Sequence, residues 1–308
     1  MDVKISAVLC TFNRAHYLRR ALQSLVAQSL SEGQYEIIVV DNRSTDDTSQ
    51  VVRKEFGGVS NLRYLYEPIQ GLSQARNTGW KNARGMYVAY LDDDAVADTE
   101  WLGKIVEVFE TLKPQPGCVG GRVEPIWEAP QPAWLSDDMT SYLAILNYSD
   151  APVALGNPDY LVGASIAYPR QLLETMGGFQ TRLGRRGKNL LSNEETLLHR
   201  GLKAEGYACM YHPEILAWHH IQASRLKKTW FIRRLYWQGV SDALVQIERE
   251  SPSALRRLRF ALSATRRVLS PQRLADLAIS SDDSKRFEQK CSAFKQIGYL
   301  VGLGGMAG

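Results

Sequence analysis

A β-type run that ends in three carboxylates decides how this chain folds: Met86-Tyr87-Val88-Ala89-Tyr90-Leu91-Asp92-Asp93-Asp94. A strand interior cannot bury three adjacent carboxylates, because unpaired charge in an apolar interior is strongly penalised. The run therefore predicts a strand that ends at the carboxyl edge of a sheet, where open α/β sheets bind ligands. Clustered carboxylate oxygens at that edge suit Mg²⁺ or Mn²⁺. Taken alone, an acidic turn that caps the following helix is an equal alternative.

Strand and helix patterns alternate on both sides of this run. Strands are predicted at residues 4–10, 36–40, 62–66 and 118–123, and helices at 15–28, after 45, at 73–84 and at 99–112. A proline- and aromatic-rich loop at 124–158 precedes a strand at 160–169, helices at 170–176 and 193–205, and strands near 207 and at 215–219. This alternation predicts an α/β fold with a mostly parallel sheet that helices cover on both faces.

The composition is that of an ordinary globular protein. The chain has 308 residues, of which 44% are hydrophobic and 23% are charged, and its net charge of +4 is too mild to imply a nucleic-acid partner. No apolar run approaches the roughly 18 to 20 residues needed to cross a bilayer, and no signal peptide is apparent. Four widely spaced cysteines predict reduced thiols. We therefore predict a cytoplasmic protein.

Further polar groups follow predicted strands or begin predicted helices. They are Thr11, Asn13 and Arg14 after the first strand, Asp41 and Asn42 after the second, and Arg76 in the helix at 73–84. A helix N-terminus binds phosphate, and Asp or Asn side chains can read the edge of a base, so these positions suit a nucleotide. Helix caps and Asx turns are the alternative for each group taken alone. No G-x-G-x-x-G sequence follows the first strand, which argues against a dinucleotide site.

The order and spacing of these motifs resemble the family 2 glycosyltransferases of the GT-A fold. The motifs are Thr11-Phe12-Asn13-Arg14, Val39-Val40-Asp41-Asn42-Arg43-Ser44-Thr45-Asp46, Ala75-Arg76-Asn77-Thr78-Gly79 and Leu91-Asp92-Asp93-Asp94. Farther along, Tyr160-Leu161-Val162-Gly163-Ala164-Ser165, Gly177-Gly178-Phe179 and Asn193-Glu194-Glu195-Thr196-Leu197-Leu198 are similar to the family's acceptor strand, turn and catalytic-base motif. The resemblance spans residues 3–220 and implies a GT-A sheet with a C-terminal helical extension.

The resemblance also implies a role for each motif residue. Nucleotide and sugar contacts would come from Thr11, Asn13, Arg14, Asp41, Asn42, Arg76, Asp92 and Asp93. Asp94 would bind Mn²⁺ or Mg²⁺ on the donor diphosphate, with His219 or His220 as a further ligand, although paired histidines at a strand end are as often structural. A UDP-sugar is the donor that the resemblance favours. Many members have Asp-Asp where this chain has Asp41-Asn42, so the base is not fixed as uracil.

Family members invert the anomeric carbon, which requires a general base at the acceptor hydroxyl. Glu195 aligns with that base and Glu194 precedes it. Adjacent helical residues point about 100° apart, so we predict Glu195 as the base. The alternative for either one is a carboxylate that only complements the helix dipole. Acceptor contacts are predicted at Trp127, Trp134 and Gly163.

The composition changes after about residue 224. Residues 225–273 contain twelve Lys and Arg residues but only Asp242, Glu248 and Glu250 as acids. We predict a catalytic domain at 1–224 and a basic amphipathic helical region at 225–308. This region could pack on the catalytic domain, or it could bind an anionic membrane surface. Membrane binding would place the protein at the inner membrane face. Nucleic acid is not expected.

The predicted function is a non-processive, metal-dependent transfer of a sugar from a nucleotide-diphosphate donor to a hydroxyl of a glycan or lipid-linked glycan. Processive members carry membrane spans and a Q-x-x-R-W motif, and this sequence shows neither. One alternative is a sugar-phosphate nucleotidyltransferase of related fold, which would need a glycine-rich loop at residues 11–14. The other is a non-catalytic nucleotide-sugar-binding module, against which the intact carboxylates argue.

Overall fold

The computed structural model describes residues 3–156, 159–269 and 283–305. The chain divides into two compact units. The first comprises Met1–Ile126, Ala144–Arg182 and Glu194–His220, and the second comprises Trp127–Leu143, Leu183–Asn193 and Ile221–Gly308. Two segments that precede residue 224 thus belong to the second unit. The predicted boundary between a catalytic domain at 1–224 and a helical region at 225–308 stays a prediction. Residues 270–282 and 306–308 of the predicted C-terminal region lie outside the described residues.

One sheet organises the first unit. Its strands are β1 (Ile5–Thr11), β2 (Tyr35–Asp41), β3 (Leu62–Tyr66), β4 (Tyr87–Asp92), β5 (Ala95–Ala97), β6 (Cys118–Trp127), β7 (Val153–Ala154), β8 (Ser165–Pro169) and β9 (Cys209–Ile221). In the described residues the spatial order is β3-β2-β1-β4-β8-β6-β9-β5, with β7 also on β9. This sheet confirms the predicted α/β fold class, but it is mixed rather than mostly parallel, because four of its seven described pairings are antiparallel.

The first four strands pair with one another in parallel. β1 lies between β2 and β4, and β3 joins the outer side of β2, all in parallel. The described pairings of β8 with β4 and β6, and of β9 with β5 and β7, are antiparallel. The register places Thr11 beside Asp41 and Cys10 beside Asp92, so three strands end together. This common edge is where the predicted site residues meet.

Helices cover both faces of the sheet. They are α1 (Ala15–Val26), α2 (Leu72–Lys81), α3 (Trp101–Thr111), α4 (Arg170–Thr175) and α5 (Glu194–Ala204), with short helical segments at Glu32–Gln34, Thr48–Gln50 and Val51–Glu55. Along β1, Ile5, Ala7 and Leu9 belong to one buried cluster, whereas Val8 belongs to the other. Side chains alternate across a strand, so this division shows that the sheet is buried on both sides.

The structure corrects several predicted element bounds. The strand expected at 118–123 continues to Trp127, and the two strands expected near 207 and at 215–219 are the single strand β9. The helix expected after residue 45 is one α-helical turn followed by a π-helical segment. The four cysteines are free thiols, as predicted.

The second unit is helical. Its helices are α6 (Lys228–Glu250), α7 (Ala254–Val268) and α8 (Ser284–Leu303), with shorter ones at Asp137–Thr140, Ser141–Leu143 and Ala223–Leu226. α6 and α8 approach closely at two glycines, because a Cβ on Gly239 or Gly298 would lie 1.8 Å from a backbone oxygen of the facing helix. None of the helices in the described part of the chain has the length and hydropathy that a membrane span requires.

Candidate active site

The carboxylate run ends its strand as predicted, but two of its members are buried. β4 ends at Asp92, and Asp93 and Asp94 form the turn into β5. Arg14 makes this burial tolerable: its Nη1 lies 2.9 Å from Asp93 Oδ1 and 2.7 Å from Asp94 Oδ2. Burial raises the pKa of Asp93 to about 6, and the neighbouring Asp94 charge adds to the rise while Arg14 opposes it. Asp93 and Asp94 therefore form an ionic cluster with Arg14, whereas the Asp92 side chain is 34% exposed.

Asp94 lies close to one histidine and to Asp92. One potential ligand atom from each of Asp92, Asp94 and His219 lies within 4.8 Å of the others, and His219 Nε2 is 3.1 Å from Asp94 Oδ1. Two carboxylates and an imidazole fit a divalent cation that retains positions for phosphate oxygens, and Mn²⁺ accepts such a mixed donor set. Asp92 belongs to this candidate metal site, whereas the resemblance gave it a sugar contact.

The two histidines point in different directions. Ala95 of β5 pairs with His219 of β9, which turns the His219 side chain toward Asp94. His220 is the next residue along the strand, so its side chain lies on the opposite face. Its ring is 5.3 Å from that of Tyr17. Of the two histidines, His219 belongs to the candidate metal site that the described residues form, and His220 does not.

Arg76 lies between the candidate metal site and the predicted base. Its side chain is 3% exposed, and its Nη1 is 2.8 Å from Glu194 Oε1 and 3.9 Å from Glu195 Oε2. Its Nη2 is 3.5 Å from Asp92 Oδ1. Burial alone lowers the pKa of Arg76, but the three surrounding carboxylates raise it above its ordinary value. The Arg76 guanidinium thus contacts three carboxyl groups in this structure.

The two glutamates at the start of α5 differ in environment. The Glu194 side chain is 3% exposed and that of Glu195 is 17% exposed. Burial, together with the Glu195 charge, raises the pKa of Glu194 to about 8, although Arg76 opposes the rise. Glu195 Oε1 instead accepts a hydrogen bond from the Gly163 N–H at 3.1 Å. Glu195 is therefore the more accessible of the two carboxylates.

Gly163 is close to both groups. A Cβ at this position would lie 2.1 Å from Arg76 Nη2 and 2.9 Å from Glu195 Oε1. Only glycine allows the backbone to approach the ion-paired cluster this closely. The structure therefore gives Gly163 a contact with the predicted base, in addition to the acceptor role that the sequence predicts for it.

The motif after β1 shapes a loop. Asn13 has a φ of 54°, and its Oδ1 accepts hydrogen bonds from the backbone N–H groups of Thr45 at 2.7 Å and Asp46 at 3.3 Å. Its own N–H donates to Ser44 Oγ at 2.9 Å. Thr11, the last residue of β1, is buried. Asn13 thus joins the loop after β1 to the loop after β2.

The motif after β2 is also held by internal hydrogen bonds. Asp41 accepts from the Ser44 N–H at 2.8 Å and from the Tyr64 hydroxyl at 2.6 Å. Asn42 Nδ2 donates to the Ile69 carbonyl at 2.7 Å, and its Oδ1 accepts from the Gly71 N–H at 2.7 Å. These side chains hold the loops that form the edge of the sheet.

These features occur in a chain that a family model recognises. The model described as "Glycosyl transferase family 2" matches residues 6–177. The chain belongs to that family. It is a glycosyltransferase, as the sequence motifs predicted.

Two curated relatives cover most of this glycosyltransferase. The glucosyl-dolichyl phosphate glucuronosyltransferase of Haloferax volcanii is 25% identical over 249 residues, which are 80% of this chain and 78% of the relative. The succinoglycan biosynthesis protein ExoM of Rhizobium meliloti is 26% identical over 290 residues, which are 83% of this chain and 88% of the relative. Both matches extend beyond the region that the family model covers.

Solved structures share the fold. The mannosyltransferase PcManGT of Pyrobaculum calidifontis, in complex with GDP-Man and Mn²⁺, superposes with a TM-score of 0.62 at 18% identity, covering 100% of this chain and 87% of that one. Residues 1–349 of S. aureus TarS, in complex with UDP, give a TM-score of 0.55 at 16% identity, covering 99% and 91%. These likenesses establish the GT-A fold of the glycosyltransferase.

The predicted acceptor tryptophans lie in the second unit and differ in environment. Trp134 is buried, with its ring 5.2 Å from Phe231 and 4.7 Å from Phe287. Both contacts are edge-to-face, so the indole belongs to an aromatic core and we leave it out of the proposed acceptor site. Trp127 ends β6 and is half-buried, and its acceptor role stays a prediction.

Sequence reasoning missed Glu67. This residue directly follows β3 and is buried. Its Oε1 accepts from the Ile69 N–H at 2.8 Å, and its other oxygen accepts from the Thr78 hydroxyl. The signal was available, because Glu67 follows a strand just as Asp41 and the carboxylate run do. It links the loop after β3 to α2.

Proposed function

We propose that this glycosyltransferase moves a sugar from a nucleotide-diphosphate donor, with a UDP-sugar as the first choice, to a hydroxyl of a glycan or lipid-linked glycan, with inversion at the anomeric carbon. One observation carries the proposal: the Arg76 guanidinium contacts both Asp92 of the candidate metal site and the Glu194–Glu195 pair. A donor diphosphate held at one end of this cluster would present its sugar to a base at the other.

Asp92, Asp94 and His219 would hold Mn²⁺ or Mg²⁺ against the donor diphosphate. When bound, such a cation neutralises the charge that develops on the leaving diphosphate. Arg14 binds Oδ2 of Asp94, so the carboxylate would offer the cation its Oδ1, which lies 3.1 Å from His219 Nε2. Asp93 would stay with Arg14 and maintain the shape of the turn.

Glu195 would remove the proton from the acceptor hydroxyl as that oxygen attacks the anomeric carbon. Its Oε1 is fixed by the Gly163 N–H, and its Oε2 lies 3.9 Å from Arg76. Glu194 would position this arrangement through the hydrogen bond that its Oε1 accepts from Arg76 Nη1 at 2.8 Å. A positioned base of this kind contributes about 10²- to 10⁴-fold to a rate.

The donor and acceptor classes are supported by the relatives. One fold neighbour is in complex with GDP-Man and another with UDP, and one curated relative is named for a dolichyl phosphate-linked sugar acceptor. We assign the nucleotide to the loops held by Asn13, Asp41 and Asn42, where Thr11 and Arg14 also lie. Arg76 would act on the donor through Asp92.

A thermal-shift screen tests the proposal. Each of a panel of nucleotide-diphosphate sugars is added with Mn²⁺, and the melting temperature is recorded. A ligand that binds only the folded chain raises the apparent stability by mass action. We expect one sugar nucleotide to raise the Tm only with Mn²⁺, and Asp94→Asn to abolish that rise. No shift with any member of the panel, or an undiminished shift in the variant, would contradict the proposal.

A further inference from the structure

Helix α7 of the second unit presents an apolar stripe to solvent. Its four leucine positions, which include the residue that follows its last turn, are exposed: Leu255 at 61%, Leu258 at 54%, Leu262 at 53% and Leu269 at 59%. The seven other exposed large hydrophobic residues in the described part of the chain range from 36% to 56%, and they are distributed over several elements. Concentration on one helix distinguishes this stripe from the scattered apolar residues of an ordinary surface.

The four leucines share one side of the helix. At about 100° per residue they fall within an arc of about 60°. Ala264, which is fully buried, lies on the opposite side, and α7 packs on α8. The helix is therefore anchored by one face while the leucine face has no partner among the described residues.

The charge of α7 has a single sign. Residues 254–268 contain five arginines and no acidic residue. Arg256 pairs with Glu250 at 2.9 Å, but Arg259 and Arg266 form no ion pair with any residue that the structure describes. Both are exposed, and on a helix both lie within about 40° of Leu255. The leucine stripe is thus bordered by unneutralised positive charge.

We propose that α7 is a docking helix for an anionic bilayer surface, with the four leucines at the acyl boundary and Arg259 and Arg266 at the lipid phosphates. An apolar face bordered by arginines is the pattern of helices that lie in a membrane interface, and each arginine near an anionic surface adds attraction. A second copy of the chain is a poorer occupant, because two such faces would bring like charges together. This goes beyond the proposed sugar transfer.

Vesicle flotation of the full chain tests the proposal. We expect the chain to float with vesicles of phosphatidylcholine and phosphatidylglycerol, to float poorly with phosphatidylcholine alone, and to dissociate as salt rises. The double variant Leu258→Gln/Leu262→Gln should lower the bound/free ratio about tenfold or more. Arg259→Gln/Arg266→Gln should lower it on anionic vesicles only. Met86→Gln changes an equally exposed residue at 56% in the first unit, and it should bind normally.

Other outcomes overturn the proposal. If the chain binds neutral and anionic vesicles equally, the arginines have no role in binding. If Leu258→Gln/Leu262→Gln floats as well as the parent chain, the leucine stripe has no role. Light scattering tests for self-association. If the parent chain binds no vesicles but self-associates, and the leucine variant stays monomeric, the partner of this face is a second copy of the chain. Retention by duplex DNA with no vesicle binding assigns the arginines to nucleic acid. Unchanged circular dichroism of each variant shows that it is folded.

Discussion

The loops after β1 and β2 and the carboxylates after β4 lie at one edge of the sheet but use similar side chains differently. Asn13, Asp41 and Asn42 direct their hydrogen bonds to the backbone of the loops around them. Asp92 and Asp94 instead converge with His219, and both ends of the Arg76 guanidinium meet carboxylates. The side chains after β1 and β2 therefore fix the conformation of their loops, whereas those after β4 form a cluster of charged groups.

This difference separates two kinds of motif residue. A side chain that holds a loop acts on the substrate through the backbone, so its loss should cost stability and substrate affinity. A side chain in the charge cluster acts on the reacting atoms or on the groups that hold them, so its loss should cost turnover. Four predictions test this contrast, beginning with the largest effect.

Replacing the proposed base should have the largest effect. Glu195→Gln keeps the size of the side chain and removes its ability to take a proton, so we expect kcat to fall about 10²- to 10⁴-fold. Donor binding should not change, because Glu195 does not belong to the candidate metal site. The control is Glu205→Gln, an exposed glutamate just after α5. Near-parent activity of Glu195→Gln in a single-turnover assay would remove the residue from the mechanism.

Filling the space at Gly163 should have the next largest effect. A Cβ there would lie 2.1 Å from Arg76 Nη2, so Gly163→Ala should displace the guanidinium or Glu195 and lower kcat about 100-fold. The matched control is Gly156→Ala, because a Cβ at Gly156 would meet nothing within 4 Å. Steady-state kinetics and urea unfolding of both variants make the comparison. Equal behaviour of the two would show that the close approach is not needed.

Glu194 should make stability depend on pH. Its folded-state pKa of about 8 lies above the ordinary carboxyl value, so the folded chain holds a proton that the unfolded chain has released. Stability from this group is complete at low pH and is lost as the pH rises toward 8. The slope is at most about 1.4 kcal/mol per pH unit.

Urea unfolding between pH 6.5 and 8 measures this slope. Glu194→Gln should remove it, because the amide does not titrate. Asp93→Asn should retain it, since the pKa of Asp93 is about 6 and its contribution ends at lower pH. A slope that is the same in Glu194→Gln and in the parent chain would show that Glu194 is already ionised at neutral pH.

The smallest effect is expected in the loop region. Asn13→Ala removes the hydrogen bonds to Thr45 and Asp46 and places alanine at a φ of 54°, which should cost about 1 to 2 kcal/mol of stability. Asn13→Gly removes the same bonds but tolerates that φ, so it should cost less. KM should rise in both variants with little change in kcat. A large fall in kcat would instead place Asn13 with the reacting groups.

Much of the fold followed from local pattern. The strand at Leu62–Tyr66 has the predicted bounds, and the carboxylates end β4 because three adjacent charges cannot continue a buried strand. Pro213 interrupted the apolar pattern in the region of β9, and the prediction divided one strand into two. Backbone pairing with β5 and β7 spans that interruption, and the sequence pattern did not indicate such long-range pairing.

The site was harder to predict because its contacts are long-range. Nothing near Arg76 in the sequence indicates that Glu194, 118 residues away, is its hydrogen-bond partner. The alternation of side chains on β9 separates His219 from His220, but which face meets Asp94 depends on the pairing with β5. Trp134 likewise gave no local sign that it packs between Phe231 and Phe287.

Mn²⁺ binding monitored by electron paramagnetic resonance tests the central claim most directly, namely that one group of residues holds the metal and another removes the proton. In the presence of the nucleoside diphosphate of the donor, we predict that the parent chain and Glu195→Gln bind Mn²⁺ with similar affinity, although only the parent turns over. His219→Ala should lose that binding. Unaltered Mn²⁺ affinity in His219→Ala, or loss of Mn²⁺ in Glu195→Gln, would contradict this division of roles.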